Sequence, residues 1–237
     1  MYIKMYFLVD NINKVIFGWS AKCGCSHIKK LYQFLAKKNH KWVHMQEYYS
    51  SPFPESFSGY TIFIILRNPY DRIVSGYLDK YSEDGHYYHQ WSTNLPPLTY
   101  RNFVDEICKN EFKVIHRHHF TPQLSEDWDK FQSKLVDNSP KEIIVYDIAK
   151  IDYLFIESIY GVKIPADVLE FRGDHINKRN EKINYPVYDL IQNDYFDKKP
   201  VTQCFYDGDI AKKFEDFYKV DFDFAKLNGI HYQIKKE

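Results

Sequence analysis

The sequence carries no excess charge of either sign: 32 Lys and Arg residues stand against 32 Asp and Glu. A protein that grips nucleic acid through its phosphate backbone normally shows a basic surplus, so that class falls away. Any anionic ligand has to be held by a local cluster instead. Long hydrophobic runs are missing too. The N-terminal MYIKMYFLVDN is interrupted by Lys4 and closed by Asp10, which makes it too short and too broken for a signal peptide or a membrane span. Nothing later reaches the ~18 apolar residues a span needs. Cysteine is scarce, with four in the chain, and Cys23 and Cys25 stand too close together for a stabilising disulfide. These absences lead to the expectation of free thiols in a reducing compartment, and of a cytoplasmic protein without a membrane anchor. Internal repeats and low-complexity tracts are absent as well.

What is present is a chain of 237 residues, long enough to bury one sizeable core, and a single domain over 1–237 is expected. Aromatics make up 18% of it, with 21 Tyr and 18 Phe. Most are read as core and surface packing, and composition does not say whether any of them stacks on a sugar or a base. Residues 14–19 and 61–66 read as buried strands, each followed at once by a helical pattern. The first helix, 26–37, places Ile28, Leu31, Tyr32 and Leu35 on one face. The second, about 70–81, buries Ile73, Val74, Tyr77 and Leu78, with Pro69 opening it. A third strand is expected at 142–147, with a helix behind it that ends at Gly161. A helix capped by Thr99 is expected at 99–109, loop at 85–97, and irregular chain at 172–204. Helix closes the chain, with Ile210, Phe214 and Phe217 on one face. Strands alternating with helices point to an α/β fold around a central, mainly parallel sheet with 14–19, 61–66 and 142–147 in its middle.

In such a sheet, ligands bind beyond the C-terminal ends of the strands. Two of these ends are chemically loaded. After the first strand comes AKCGCS (21–26). There Lys22 brings charge, Gly24 permits close backbone approach, Ser26 offers a hydroxyl, and the amides that open the helix point outward. Cys23, Cys25 and His27 complete this candidate phosphate cradle. It is not a Walker loop, because G-x-x-x-x-G-K-[ST] is absent. After the second strand comes RNPYDRIVSGYLDKY (67–81), where Arg67 can grip a phosphate bidentately and Ser75, in the following helix, can add a hydroxyl. Arg72 adds a further charge. Two anion sites on two strand ends suit one ligand with phosphates at both ends.

The two motifs together resemble the sulfotransferases that use 3′-phosphoadenosine 5′-phosphosulfate (PAPS), in particular their carbohydrate branch. In that family a loop of the form P-K-x-x-[CST]-[ST] holds the 5′-phosphosulfate. The 3′-phosphate is held by R-[DE]-P-[FY]-[ED]-R-[LI]-[VI]-S-[AG]-[YF]-x-x-K-[FY]. HHFTPQ (118–123), VYDIAKIDYL (145–154), DHINKRNE (174–181) and DFYKVDFDFAKLNGIHY (216–232) also look familiar, so the resemblance runs along nearly the whole chain. It departs at Ala21, where the family has proline, at Asn68 in place of an acid, and at Phe120 in place of tryptophan.

The resemblance implies a three-layer, P-loop-like fold and a PAPS-dependent sulfotransferase acting on a hydroxyl, with a saccharide as the expected acceptor. Lys22 would lie against the leaving oxygen. The loop from Cys23 to His27 would hold the 5′-phosphate, and Arg67 and Ser75 the 3′-phosphate. A general base has to take the acceptor's proton, and the candidates are His44, His119 and the carboxylate Glu47. No metal is expected: Cys23, Cys25, His116, His118 and His119 offer zinc ligands, but the cysteines lack CxxC spacing. Two alternatives stand beside this reading, a nucleotide kinase-like phosphoryl transferase with a variant loop and a non-catalytic nucleotide or glycan binder.

Overall fold

The computed structural model describes residues 5–49, 56–82, 85, 87–88, 91, 97–109, 115–124, 133–134, 138–172, 181–195 and 197–234. The chain divides into two compact units. Unit one comprises Met1–Arg67 and Gln123–Ile176, and unit two Asn68–Pro122 and Asn177–Glu237. Much of the expected loop 85–97 and nearly all of DHINKRNE lie outside the described residues.

Unit one is built on a four-stranded sheet in the order β1 (Tyr6–Asp10), β2 (Val15–Trp19), β3 (Thr61–Leu66) and β4 (Glu142–Asp147). β2–β3 and β3–β4 are parallel, with Ile16 opposite Ile62 and Ile62 opposite Ile143. Every residue of β2 and β3 is buried, as a parallel strand covered on both faces requires. Helices flank this sheet, so the α/β class read from the sequence holds. Val15, Phe17, Trp19 and Phe63 pack with Ile28, Leu31, Tyr32 and Leu35 of α1 (Cys25–Leu35), and with Ile156 of the helix that follows β4.

Three expectations change. β1 is a strand that the broken N-terminal pattern did not announce. It pairs antiparallel with β2 across a tight turn in which the Asp10 carboxylate accepts the amides of Ile12 and Asn13. β4, expected mid-sheet, is an edge strand among the described residues. The helix behind it is broken: a 3-10 turn at Ile148–Lys150 and a helix at Tyr153–Tyr160 start separately. The break has a local cause, because the Asp147 carboxylate accepts the Ala149 amide at 2.7 Å and that of Asp152 the Phe155 amide at 3.0 Å. Gly161 closes the helix in the left-handed conformation, φ 63°, as expected.

Unit two carries α2 (Pro69–Lys80) and α3 (Tyr100–Cys108), with the short α4 (Arg117–Phe120). A small parallel pair, Glu181–Ile183 with Lys198–Pro200, runs through the region read as irregular. Asn68 caps α2 by accepting the Tyr70 amide, with Pro69 in the first turn, and Thr99 caps α3. The closing helix is two, Gly208–Phe217 and Lys219–Leu227, parted at Tyr218, whose buried hydroxyl donates to the Phe120 carbonyl. The core here is aromatic: Tyr77, Tyr81, Trp91, Tyr100, Phe103, Phe120, Phe205 and Phe214 are all buried. Arg72, read from the sequence as an extra charge for a ligand, is buried and donates to the Thr121 carbonyl at 2.8 Å, so its work is internal. Among the described residues, no helix is long and apolar enough to cross a membrane.

Gly76 on α2 is where this packing is tightest. A Cβ there would lie 2.5 Å from Phe120 Cε1, inside van der Waals contact. Gly76→Ala is therefore expected to destabilise by about 1–3 kcal/mol, the cost of overpacking, despite its better helix propensity. Urea unfolding measures it, and a stabilised variant would mean that Phe120 moves aside freely.

Candidate active site

β2 ends at Trp19, and only five residues, Ser20 to Gly24, connect it to α1. Two of the connecting residues adopt the left-handed conformation, Lys22 at φ 64° and Gly24 at φ 68°. Glycine takes this without cost, but lysine does not. A Cβ on Gly24 would also lie 2.8 Å from the Ile148 side chain, so glycine is needed here on two counts. Gly24 is the N-cap of α1 and provides no side-chain cap. The helical ladder begins with the Ile28 amide on the Gly24 carbonyl at 3.0 Å, so the amides of Cys25, Ser26 and His27 precede it. These outward amides, with the helix dipole behind them, form an anion cradle.

The strained turn is held from behind. The Cys23 amide closes on the Ser20 carbonyl at 3.2 Å, and the Cys23 thiol donates to Gln123 Oε1 at 2.7 Å. The same Oε1 accepts the Arg67 amide at 2.9 Å, while Gln123 Nε2 donates to the Arg67 carbonyl at 2.9 Å. Arg67 Nη1 in turn donates to the Lys22 carbonyl at 2.8 Å. Cys23 is thus part of the brace rather than a ligand group. Lys22 and Arg67, expected in two separate anion sites, are joined through the backbone of the loop.

His44 comes to the same loop, with Nε2 3.4 Å from Ser26 Oγ. Its segment is anchored by buried Val43 and Tyr48, and by Gln33 of α1, which donates to the Trp42 carbonyl at 2.8 Å. His44 Nδ1 is 3.0 Å from the Tyr49 hydroxyl, which also accepts from Lys29 Nζ at 2.6 Å. The other base candidates stand differently. Glu47 is 53% exposed at its side chain and pairs with His40 at 3.0 Å. His119, in unit two, has its Nδ1 2.9 Å from His116 Nδ1. Ser75 is half-buried on α2, also in unit two.

The His27 ring is turned away from the cradle. Its Nδ1 meets the Phe171 carbonyl at 3.2 Å, so it donates there, and Nε2 accepts from the Tyr153 hydroxyl at 2.8 Å. Burial lowers its pKa, in keeping with a neutral structural ring. Only its backbone amide faces the cradle's side of the helix start.

Residues 5–146, more than half of the chain, match the model of the sulfotransferase family. The chain belongs to the sulfotransferase family. No curated protein and no solved structure matches it. The matched stretch holds the whole four-stranded sheet except its last residue, the Lys22–Ser26 loop, Arg67, α2 and Gln123. Family membership makes sulfuryl transfer the class of chemistry and a hydroxyl the class of acceptor.

Two functional groups of this sulfotransferase escaped the sequence reading. Gln123 closes the HHFTPQ segment, and a neutral carboxamide gives no sign of bridging a strand end and a loop. Tyr49 is one tyrosine among 21, and only its position beside His44 distinguishes it. Gln123→Leu removes the hydrogen bonds that the carboxamide makes to the Arg67 amide and carbonyl and to the Cys23 thiol, so a loss of about 2–4 kcal/mol is expected. Thermal or urea unfolding measures it, and a loss below about 0.5 kcal/mol would mean that water replaces the carboxamide.

Proposed function

We propose that this sulfotransferase moves the sulfuryl group of PAPS to a hydroxyl of a saccharide. The observation that carries the reading is the cradle itself. It combines helix-opening amides that precede the helical ladder, a glycine where a Cβ would not fit, a hydroxyl at Ser26, and Lys22 held at a strained φ whose carbonyl is tied to Arg67. Strain in a lysine at such a turn persists only where the surroundings over-determine it, and such residues cluster at functional sites.

Bound PAPS supplies the sulfuryl group, and its 5′-phosphate is the leaving group. The amides of Cys25, Ser26 and His27, with the Ser26 hydroxyl, hold that phosphate. Lys22 stabilises the charge that grows on the leaving oxygen, which calls for no metal. Arg67, whose guanidinium carries five N–H donors, is the partner of the 3′-phosphate. His44 accepts the acceptor's proton at Nε2, on the side of the loop hydroxyl. For the saccharide, the support is Trp42: the residue is 61% exposed and its ring meets that of His44 edge-on, 5.6 Å between centroids. An exposed indole beside the base gives a sugar ring a flat apolar face to lie on.

A thermal-shift panel of PAP, ATP and NAD tests the donor. At about a hundred times its Kd, PAP should raise Tm by roughly 5–10 °C, well beyond the others. A shift no larger than that with ATP would overturn the reading.

Lys22→Ala should lower turnover about a hundredfold while PAP affinity falls much less, because the amides and Arg67 remain. Arg67→Ala should weaken PAP by about 1.5–3 kcal/mol more than it weakens adenosine 5′-phosphosulfate, which lacks the 3′-phosphate. Both nucleotides should lose something, since the loop loses its tie to Lys22. Equal losses would assign Arg67 to the loop alone.

A further inference from the structure

Behind the candidate base lies a buried amine that sulfuryl transfer leaves without a role. Lys29 projects from α1 and is 0% exposed. Its Nζ stands 4.1 Å from the centre of the Trp19 ring and 3.9 Å from that of Tyr49, and donates to the Tyr49 hydroxyl at 2.6 Å. The same hydroxyl meets His44 Nδ1 at 3.0 Å, and His44 Nε2 faces Ser26. One continuous line of polar atoms therefore runs Lys29–Tyr49–His44–Ser26.

We propose that Lys29 is a positioning residue: acting through Tyr49, it sets which ring nitrogen of His44 carries the proton, and hence whether His44 can serve as a base. The consequence for catalysis rests on the reading of His44 as the base; the control of its tautomer does not.

The physical reason lies in the donor inventory. A charged ammonium has donors and no acceptor, so it must give a proton to Tyr49 Oη. The hydroxyl's own proton then turns to His44 Nδ1, which fixes the ring as the Nε2–H tautomer, unable to accept at Nε2. A neutral amine reverses every bond. Its lone pair takes the hydroxyl proton, Oη accepts from His44 Nδ1–H, and Nε2 is left unprotonated toward Ser26. When Nε2 then takes a proton from an acceptor hydroxyl, Nδ1–H can pass to Oη and the hydroxyl proton to Nζ. The balance closes: the hydroxyl oxygen gains the negative charge it needs as a nucleophile, and Lys29 ends as an ammonium.

The surroundings suit this role. Burial pushes the Lys29 ammonium down to about 8, with Cys25 on the same helix pulling the other way. Tyr49, and Tyr6 of β1, which packs on both Trp19 and Tyr49, are each pushed up to about 12 by burial. Their hydroxyls keep their protons while Lys29 loses its own. Cys25, Tyr6, Tyr49 and His44 are the titratable groups that face the amine.

The test is ¹⁵N NMR of the His44 ring in the full chain without donor or acceptor, with His44→Gln giving the assignment. Between about pH 7 and 9.5, above the ordinary imidazole range, the wild type should pass from mostly Nε2–H to mostly Nδ1–H. Lys29→Met and Lys29→Arg should both abolish that step. Arginine keeps the buried charge but does not titrate, so a merely structural cation would be rescued by it and a titrating one would not. A wild-type tautomer ratio that is constant across the window overturns the proposal, and so does a step that survives in Lys29→Arg. A step present in a protein that fails to bind PAP would leave this inference standing and sink the proposed donor.

Discussion

The Gln123 carboxamide and the Arg67 residue it clamps hold the loop on which the site depends. A lysine in the left-handed region costs about 1–2 kcal/mol, and nothing in the local sequence Ser20–Ser26 favours Lys22 over a glycine in that conformation. Against this stand the bonds from Cys23 to Gln123, from Gln123 to both backbone groups of Arg67, and from Arg67 to the Lys22 carbonyl. At about 1 kcal/mol net for each, these bonds together outweigh the strain. The consequence is geometric. The end of β3 and the turn after β2 cannot shift independently, so the backbone of Lys22 and the opening amides of α1 keep one fixed relation to Arg67.

On the proposed reading, this arrangement lets a chain without net charge hold a polyanion. The positive potential is local, built from Lys22, Arg67 and a helix start, and the compensating acids lie elsewhere in the sequence. Preorganisation matters more than the number of cations. Amides fixed by a helix need little reorganisation when charge develops, and a lysine rooted on a braced turn has less freedom to lose than one on a mobile surface loop. Arg72 shows the contrast. It lies in the same motif and carries the same charge, yet its burial against the Thr121 carbonyl makes it part of the packing.

The legible parts of the fold were those in which sequence neighbours decide the structure. Buried strands turning directly into amphipathic helices, with Pro69 and Asn68 at one helix start and Gly161 at another helix end, carry their signals within a few residues. β1 was hidden because its stability comes from its pairing with β2, and its own pattern is broken by charged ends. Within the candidate site, Lys22, Gly24, Ser26 and Arg67 could be nominated from the sequence because charged and small residues after strands suggest anion binding. Gln123 and Tyr49 were not, because a carboxamide and a phenol have no distinctive spacing. Their roles arise from partners far along the chain, Gln123 reaching Cys23 and Tyr49 reaching back to Lys29. Cys23 and His27 were read as part of the cradle from position alone, and it took the third dimension to show the thiol and the ring turned inward.

The departures from the family motif become intelligible on the same grounds. Ala21 lacks the rigidity of the usual proline before the lysine. The tie from Arg67 to the Lys22 carbonyl supplies from outside the restraint that a ring would have given from within. Asn68 stands where the motif has an acid. Either side chain can accept the Tyr70 amide and cap α2, but only the carboxamide can also donate, and its Nδ2 bonds the Gln233 carbonyl at 2.9 Å. A carboxylate there would face that carbonyl with no proton to give. The asparagine is therefore matched to the path of the C-terminal segment in unit two, and replacing it by aspartate would restore the motif at the expense of that contact. What looks like erosion of a signature is, at both positions, one constraint exchanged for another that holds the same backbone.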